Sequence, residues 1–588
     1  MPRRLERSIP PVARPAGSPT RAVILFMLAV AGARVAFVFA TRADPVFRAP
    51  DLDEAFYHVW ARSLAENRGD FQGPYFLGPL YPYVVSFLYR IFGPEVFGVR
   101  LVQTGLGVLD VGLVLLLGRR LFGSAAGFAG ATLLSLYGPL AFYEGLLLVE
   151  VLLLSLVLGA LCILVLPRWN PVVRGVLVGA LLGLAALGRA TALLCVPVAL
   201  LGLWREGRVA RRQPVGALLV CLLGCLLVLA PVAVRNSRHG GGLVLTTNGG
   251  VNFYAGNFEG ANGRFREPPG VQFFRDPALP TADPRAPLPP QVAERALTVV
   301  AAAGTERAAD SSVWLHLAWD WIRTHPVDFL VLEIRKAWLL LQEQEVTHLE
   351  SFAFHRERLA ALRFFVVGFS WILPFALLGG WCAGRQRILG AGLAAGFMVA
   401  LLLPALLFFV TSRYRLAAVP ELALFAGFGV ATVGQWLRAR AWKRVALGTA
   451  FLLPVFVLSR TAGAPPPGEL AWQHSQMAFR LSALGDLEAA IRSQERAAQL
   501  LPHDARPRVE LARYLNERRA VGDLERAESL LRDAAVQLPE RPDVPFLLGL
   551  VLVRQGRTEE ARAAWQRALA IDPGFAPARA RLREGAPR

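Results

Sequence analysis

Long apolar runs separated by short basic stretches dominate the chain up to about residue 460. An α-helix needs roughly 20 apolar residues to cross a lipid bilayer. Runs of this kind lie near residues 22–41, 96–118, 125–143, 146–166, 174–204, 214–234, 361–381, 388–410, 417–436 and 444–460. The run 174–204 is too long for one span and is interrupted at Gly188-Arg189, so it predicts two helices joined by a tight turn. The pattern therefore predicts an all-α polytopic membrane region, residues 22–460, with about eleven transmembrane helices.

The distribution of arginine predicts the orientation of these spans. Cytoplasmic loops of membrane proteins carry an excess of Lys and Arg. If the basic N-terminus, residues 1–21, is cytoplasmic, every short loop that falls on the same side is basic. These loops contain Arg119-Arg120, Arg168 and Arg174, Arg205 to Arg212, Arg385 and Arg387, and Arg438 to Arg444. The long loops 42–95 and 235–360 then lie outside, and an odd number of spans also places the tail outside.

Composition supports a membrane protein and argues against a nucleic-acid partner. Hydrophobic residues make up 54% of the 588 residues and charged residues only 18%, with a formal net charge of +19. A soluble domain usually has about a quarter charged residues. The positive charge lies between the apolar runs rather than along one basic segment, which is typical of membrane topology. The five cysteines lie in apolar segments without a C-x-x-C pair, so we expect neither disulfides nor a zinc site.

The tail has a different pattern, which repeats. A Pro-rich linker, residues 461–470, precedes three similar units that begin at Gly485-Asp486, Gly522-Asp523 and Gly556-Arg557. The glycines are spaced by 37 and 34 residues, and each unit ends near a proline. A repeat of this length, with Gly at the turn between two helices, resembles the tetratricopeptide family. The resemblance implies an α-solenoid over 471–588, which either binds a protein partner in its groove or acts as a spacer.

The first outer loop begins with a group of acids. Phe56, Val59, Trp60 and Leu64 share one helical face after Asp51, which predicts an amphipathic helix along the membrane surface. Asp51 with Glu54 approximates a capping box, a purely structural role. Asp53 is not needed for that box, and three neighbouring acids repel one another, which favours a functional role for Asp53.

Several short motifs, in their order, resemble the GT-C membrane glycosyltransferases. They are Asp53-x-x-x-Tyr57-x-x-x-Ala61, Pro79-Leu80-Tyr81-Pro82, Leu121-Phe122-Gly123, Gly188-Arg189, Arg235-Asn236, the Asn-rich run from Asn248 to Asn257, and Arg413-Tyr414-Arg415. The resemblance covers about residues 20–440 and is greatest to the branch of protein O-mannosyltransferases and the lipid A aminoarabinose transferase. It implies a polyprenyl-phosphate sugar donor and a catalytic aspartate in the first loop.

The resemblance does not decide which of the carboxylates Asp51, Asp53 and Glu54 is the catalytic one. Asp53 keeps the four-residue step to Tyr57 and is the favoured base. A site for a divalent metal ion such as Mg²⁺ or Mn²⁺ at Asp51 and Asp53 is a further alternative. Such hard cations, however, need more oxygen ligands than two carboxylates provide. Because a phosphate leaves as a stable anion, one carboxylate base and cationic clamps should suffice for transfer.

Cations on the predicted outer face are the candidate ligands of the donor phosphate. Arg189 interrupts an apolar pair of helices, where a charge is usually functional or paired. Arg413 flanks a re-entry into the membrane and, with Arg189, is the favoured clamp, because guanidinium binds phosphate with two parallel hydrogen bonds. Arg235, Arg415 and Lys336 are further candidates; snorkelling toward lipid headgroups is the alternative for each of these cations.

The remaining candidates would contact sugar or acceptor. They are Tyr57, Tyr81, Glu144, Asn248, Asn252, Tyr254 and Tyr414. Glu144 or the nearby Glu150 can orient the acceptor or balance an arginine. The stretch around Thr246 and Asn248 predicts a short hairpin or turn. Trp314, Trp319, Trp321 and Trp338 follow a Pro-rich stretch, 277–290, and favour interface anchoring over sugar binding.

Taken with the membrane pattern, the resemblance to GT-C glycosyltransferases implies a bacterial inner-membrane glycosyltransferase. It would move a sugar from a polyprenyl-phosphate donor to a protein or lipid acceptor on the periplasmic face, where the repeat tail also lies. Two alternatives remain: a transporter or flippase, which predicts ionisable residues near mid-membrane, and a non-catalytic anchor that presents the repeats.

Overall fold

A computed structural model of the protein describes residues 20–166, 170–209, 214–265, 306–461, 463 and 465–584. The predicted N-terminal segment up to residue 19 and the Pro-rich stretch 277–290 lie outside the described residues. Up to residue 265 the helices are α1 Thr20–Ala40, α2 Pro45–Arg48, α3 Leu52–Ala65, α4 Leu80–Phe92, α5 Val96–Phe122, α6 Ser124–Ser135, α7 Gly138–Tyr143, α8 Glu150–Val165, α9 Pro171–Gly188, α10 Cys195–Val209, α11 Val215–Arg238 and α12 Gly249–Gly256. From residue 306 to residue 461 they are α13 Glu306–Thr324, α14 Pro326–Leu341, α15 Phe352–Arg358, α16 Phe369–Arg385, α17 Leu389–Leu407, α18 Ser412–Leu416, α19 Val419–Arg438 and α20 Trp442–Ser459.

Every apolar run predicted from the sequence contains helix. Across the described ranges, seven helices are long and apolar enough to cross a membrane. They are Thr20–Ala40, Val96–Phe122, Pro171–Gly188, Ala190–Arg208, Val215–Arg238, Gly390–Leu407 and Trp442–Ser459. Ser124–Ser135 and Glu150–Val165 are shorter apolar helices. The all-α, multi-pass membrane architecture is therefore confirmed.

Two predicted spans differ from single continuous helices. The run 125–143 divides into α6 and α7, because the chain at Leu136 and Gly138 exchanges backbone hydrogen bonds with Val367 instead of continuing the helix. The run 361–381 begins with a short 3-10 helix, Ala360–Phe364, and α16 starts only at Phe369. The hairpin or turn predicted around Asn248 is wrong, because Asn248 is the N-cap of α12.

Small residues allow neighbouring helices to pack closely. Gly175, Gly179 and Gly183 are spaced by four along α9 and face α11. A Cβ at Gly179 would overlap the carbonyl oxygen of Cys221, so a larger residue there would separate the two backbones. Small residues at four-residue spacing are the usual means of close helix packing in membranes. Cys221 and Cys225 are buried in this contact, which agrees with their predicted role as small packing residues.

Chain contacts divide the described residues into two compact units. The membrane unit comprises 20–42, 60–265 and 306–461, and the tail unit comprises 43–59 and 463–584. A segment of the predicted first outer loop thus belongs to the same compact unit as the repeats.

The tail unit contains three pairs of antiparallel helices and a final helix in the part of the chain that the structure describes. These are α21 Pro467–Ala483 with α22 Leu487–Leu500, α23 Arg506–Arg518 with α24 Asp523–Gln537, α25 Asp543–Arg554 with α26 Thr558–Ile571, and α27 Ala576–Glu584. Gly485, Gly522 and Gly556 have positive φ angles of 85°, 83° and 80° at the turns within the pairs. Glycine adopts this left-handed conformation without steric cost, which explains the spacing seen in the sequence.

Candidate functional site

The break at Gly188-Arg189 places a guanidinium beside a buried carboxylate. Helix α9 ends at Gly188, Arg189 is extended, and a short 3-10 helix, Ala190–Leu194, follows. Arg189 Nη2 donates a hydrogen bond to Glu150 Oε1 at 2.5 Å. Glu150 is buried in the first turn of α8. The predicted turn between two helices is therefore present, and it sets the position of the Arg189 side chain.

A second arginine reaches the same carboxylate oxygen. Arg413 Nε donates to Glu150 Oε1 at 2.5 Å from the short helix α18, whose N-terminus is capped by Thr411. The guanidinium carbon of Arg189 also lies 4.9 Å from the ring centroid of Tyr414. We call Glu150, Arg189, Arg413 and Tyr414 the Glu150 cluster. It brings together the two arginines that the sequence favoured.

The Glu150 cluster contains two cations and one anion. Among the described residues, neither Arg189 Nη1 nor Glu150 Oε2 has a hydrogen-bond partner, although both atoms are buried. A buried donor without an acceptor costs about 1–3 kcal/mol. An anion that accepted from Arg189 Nη1 would remove this cost and balance the second guanidinium.

Arg415 lies in a different cluster, although it is only two residues from Arg413. Its Nη2 is 2.6 Å from Glu345 Oε1, and its Nη1 donates to the carbonyl oxygen of Gln342. Tyr137 also donates to Glu345 Oε1, at 2.6 Å. We call Arg415, Glu345 and Tyr137 the Glu345 cluster. Here one guanidinium meets one carboxylate, and both are buried.

Lys336 is occupied by protein acceptors. Its ammonium donates to Asn257 Oδ1 at 2.9 Å, to Glu333 Oε1 at 2.7 Å and to the carbonyl oxygen of Leu406 at 2.9 Å. An ammonium has three N–H donors, so this set is complete. Burial lowers the pKa of Lys336, and Glu333 offsets part of that effect.

Arg235 braces the first loop against the end of α11. It donates to the carbonyl oxygens of Gly73, at 2.9 Å, and Phe71, and its guanidinium carbon lies 3.8 Å from the ring centroid of Tyr75. Asp70, 3.4 Å from Arg235, accepts from Tyr75 at 2.7 Å and from Trp60 at 2.9 Å. Burial raises the pKa of the Asp70 carboxyl, but hydrogen bonds led by those from Tyr75 and Trp60 outweigh it, so the pKa lies below its usual value.

The three acids of the first loop differ in exposure. Asp51 and Glu54 are buried, whereas Asp53, in the first turn of α3, is partly exposed. Asp51 Oδ1 accepts from the backbone N–H of Leu52 at 2.9 Å, and its Oδ2 accepts from Gln476 Nε2 at 2.8 Å. Glu54 pairs with Arg480 at 3.6 Å. These contacts lie within the tail unit, and they leave Asp53 as the more accessible acid of the three.

Tyr57 and Tyr81 are buried side chains. The Tyr81 hydroxyl donates to Gln103 Oε1, and Gln103 Nε2 donates to the carbonyl oxygen of Glu144 at 3.0 Å. The Glu144 carboxylate pairs with Arg34 at 3.4 Å, also in a buried position. Tyr81 and Glu144 are therefore linked through one hydrogen-bonded chain in the membrane unit.

The Asn-rich run forms the helix α12. Asn248 Oδ1 accepts from the Thr246 hydroxyl at 3.0 Å, and the Asn252 N–H donates to the carbonyl oxygen of Asn248 at 3.1 Å. Tyr254 stacks on Trp314, with ring centroids 5.3 Å apart. Gly250 allows this packing, since a Cβ there would overlap the carbonyl oxygen of Ser311.

Sequence reasoning missed several partners of these residues. Arg34 interrupts the first apolar run, and the argument applied to Arg189 would have identified it. Glu345 and the buried pair of His355 and Glu350, 2.8 Å apart, lie in a polar stretch without a distinguishing motif.

In the described ranges, no group of three or more His, Cys, Asp or Glu side chains is arranged to hold a metal ion. The metal suggested for Asp51 and Asp53 stays an untested prediction.

Two segments of the chain match known families. Residues 74–234 match the family described as dolichyl-phosphate-mannose-protein mannosyltransferase. Residues 518–584 match the tetratricopeptide repeat. No curated protein matches the chain. The resemblance to GT-C membrane glycosyltransferases with C-terminal tetratricopeptide repeats, inferred from the sequence, is therefore confirmed.

Two of the solved structures that match the chain do so at low sequence identity. The oligosaccharyltransferase of Archaeoglobus fulgidus in the apo form is 15% identical, with a TM-score of 0.41; the match covers 77% of this chain and 58% of that protein. The chain thus spans little more than half the length of that protein. ArnT from Cupriavidus metallidurans bound to undecaprenyl phosphate is 15% identical, with a TM-score of 0.40, over 95% of this chain and 77% of that protein.

Proposed function

We propose that the chain is a membrane glycosyltransferase that uses a polyprenyl-phosphate sugar as donor and a hydroxyl group of a protein or lipid as acceptor. The single observation that carries the proposal is the Glu150 cluster. It presents two converging guanidiniums, one of them with an unsatisfied buried donor, in a unit built mainly of apolar helices. Guanidiniums bind phosphate oxygens in parallel pairs, more strongly than neutral donors do.

An apolar groove supports a lipid-linked donor. Seven residues of the 3-10 helix, α10 and α17 line a groove of about 450 Å³: Leu194, Val198, Ala395, Gly396, Val399, Ala400 and Leu403. Leu194 ends the 3-10 helix that follows directly after Arg189. A hydrocarbon chain fits such a lining, since apolar surfaces within a bilayer associate through van der Waals packing.

In the proposed reaction, Asp53 acts as the general base. Its carboxylate takes the proton of the acceptor hydroxyl, whose oxygen forms a bond to the anomeric carbon of the sugar. The bond between that carbon and the phosphate oxygen breaks, and the lipid phosphate leaves as an anion held by Arg189 and Arg413. The partial exposure of Asp53 beside the buried Asp51 and Glu54 supports this choice among the three acids.

The other candidate cations take structural roles in this proposal. Lys336, Arg235 and Arg415 each direct several donors to protein acceptors. We place the reaction on the periplasmic face of a bacterial inner membrane, with the tail on that same face. The hydrogen bond from Gln476 to Asp51 supports this sidedness, because it requires the tail and the first loop to share one side.

Asp53→Asn is the direct test of the base. Purified protein is given a labelled polyprenyl-phosphate sugar and a panel of hydroxyl acceptors, and transfer is measured. We expect the rate to fall by about 10²–10⁴-fold, the usual contribution of a general base, with donor binding unchanged. Asp328→Asn, an exposed acid in the first turn of α14, serves as the matched control. Transfer by Asp53→Asn at the wild-type rate would refute the assignment.

A lipid flippase is the second candidate, and Asp110 favours it. This acid is buried in the middle of α5 and accepts a hydrogen bond from Ser155 at 2.8 Å. Acids at mid-membrane are typical of transport pathways. Proteoliposomes that moved labelled lipid across the bilayer without sugar transfer, and lost this movement in Asp110→Asn, would favour the flippase.

A further inference from the structure

The first helix of the tail, α21, buries a row of polar side chains beside its buried apolar residues Met477, Ala478 and Phe479. Gln473, Gln476 and Arg480 are each no more than 3% exposed and share one helical face. The first helices of the next two pairs bury Val509 and Leu515, and Val544 and Val551, in the repeat core. Buried polar groups are costly unless hydrogen-bonded, so the polar face of α21 needs specific partners.

These partners are the residues around Asp53. Gln476 Nε2 donates to Asp51 Oδ2 at 2.8 Å, and Arg480 Nε donates to the carbonyl oxygen of Ala49 at 3.0 Å. The Arg480 guanidinium also lies 3.6 Å from Glu54 Oε1. The tail thus holds the chain on both sides of Asp53, two residues before it and one residue after it.

The start of α3 needs such support. Leu52, between Asp51 and Asp53, has a φ angle of 50°, which is uncommon for a residue with a side chain. A strained backbone of this kind persists only when the surrounding contacts determine it. Asp51 provides one contact by accepting from the Leu52 N–H, and Gln476 fixes the orientation of the Asp51 carboxylate.

We propose that α21 supports the loop that carries the catalytic Asp53. In this proposal Gln476 and Arg480 are positioning residues that set the orientation of Asp53. The repeat tail is then required for transfer even without a bound partner. The effect of the tail on catalysis rests on the proposed function, whereas the contacts by which the tail orders residues 43–59 do not depend on that function. Loss of the anchor should slow the transfer step and leave the donor KM unchanged, because the donor contacts proposed above lie in the membrane unit.

Two full-length variants, Arg480→Ala and Gln476→Ala, test the proposal. The first measurement is hydrogen exchange of peptides covering residues 43–59, which requires no transferase activity. A hydrogen bond from a charged group contributes about 1.5–3 kcal/mol, so we expect exchange to become about 10–100-fold faster in Arg480→Ala. The second measurement is the kcat and donor KM of sugar transfer, where we expect kcat to fall and KM to stay constant.

Two further variants separate positioning from general damage. Arg480→Lys keeps the charge but replaces the planar guanidinium by a single ammonium group, so it should recover part of both the exchange protection and kcat. Arg492→Ala, on the exposed surface of the same unit, should match the wild type in both. Unchanged exchange of peptides from residues 518–584 shows that the repeats stay folded in each variant.

Each outcome decides the proposal. Unchanged exchange of 43–59 in both alanine variants would overturn the anchoring. Faster exchange with unchanged kcat would overturn the positioning role and leave a purely structural contact. If the wild-type protein transfers no sugar, the proposed function fails, while the exchange data still decide whether α21 holds the loop.

Discussion

The Glu150 and Glu345 clusters of the membrane unit are alike in composition but differ in their balance of charge. Both join a buried glutamate to an arginine of the segment 413–415. In the Glu345 cluster, Arg415 meets one carboxylate and a backbone carbonyl, and Tyr137 donates to the same carboxylate. Each cluster has one buried guanidinium nitrogen without a hydrogen bond among the described residues, Arg189 Nη1 or Arg415 Nη2, but in the Glu150 cluster two guanidiniums share one carboxylate oxygen.

This difference separates structural ion pairs from binding sites. A buried pair of one cation and one anion is neutral as a whole, and breaking it leaves a charge in a low dielectric. A cluster of two cations and one anion keeps a net positive charge, which favours an anionic ligand. Loss of one arginine should therefore lower the stability of the protein in the Glu345 cluster and weaken donor binding in the Glu150 cluster.

Arg415→Ala should have the largest effect, and on stability. It leaves the Glu345 carboxylate buried without its guanidinium, which typically costs about 3–5 kcal/mol. The apparent melting temperature of the purified protein in detergent should fall clearly. Polyprenyl phosphate, added at saturation, should still raise the melting temperature of the variant as it does that of the wild type.

The double variant Arg415→Met with Glu345→Gln provides the control for the buried charge. It removes both charges, so most of the lost stability should return. If Arg415→Ala instead kept wild-type stability and lost its response to polyprenyl phosphate, the Glu345 cluster would be a ligand site and the comparison would be wrong.

Arg189→Ala should have an intermediate effect, on donor binding. The variant loses charge-assisted contacts to the phosphate, which contribute about 1.5–3 kcal/mol, so affinity should weaken by roughly 10–100-fold. Stability should change little, because Arg413 still neutralises Glu150. Titration of purified protein with polyprenyl phosphate measures the affinity, and thermal unfolding measures the stability.

Arg323→Ala, an exposed arginine near the end of α13, is the matched control and should bind like the wild type. Arg413→Ala should weaken binding as Arg189→Ala does, since both guanidiniums point at one oxygen. Wild-type affinity in both variants would remove the clamp from the proposed mechanism.

Tyr414→Leu should have the smallest effect. The ring of Tyr414 holds the Arg189 guanidinium at 4.9 Å, and a cation–π contact of this kind contributes about 0.5–1 kcal/mol. Donor affinity should therefore weaken by roughly two- to fivefold, measured by the same titration. Tyr414→Phe keeps the ring and should retain wild-type affinity. A loss in Tyr414→Leu as large as in Arg189→Ala would assign the tyrosine itself to the donor.

Much of the fold follows from patterns that are local along the chain. The apolar runs predicted where helices lie, because a bilayer span requires about 20 apolar residues in sequence. The spacing of Gly485, Gly522 and Gly556 predicted the helical pairs of the tail, because each glycine occupies a left-handed turn. The division of the run 125–143 was not predictable, because it depends on backbone hydrogen bonds to Val367, far along the chain.

The sequence by itself determined that this is a multi-pass membrane protein with a repeat tail, and it marked Arg189 as a charge that needs a partner. Only the tertiary structure decided which cation meets which acid, because Arg413 and Glu150 are 263 residues apart in the chain. It also decided that Gln476 and Arg480 hold the loop around Asp53. Hydrophobicity and helical periodicity act between near neighbours, whereas buried ion pairs and hydrogen bonds join residues that only the folded chain brings together.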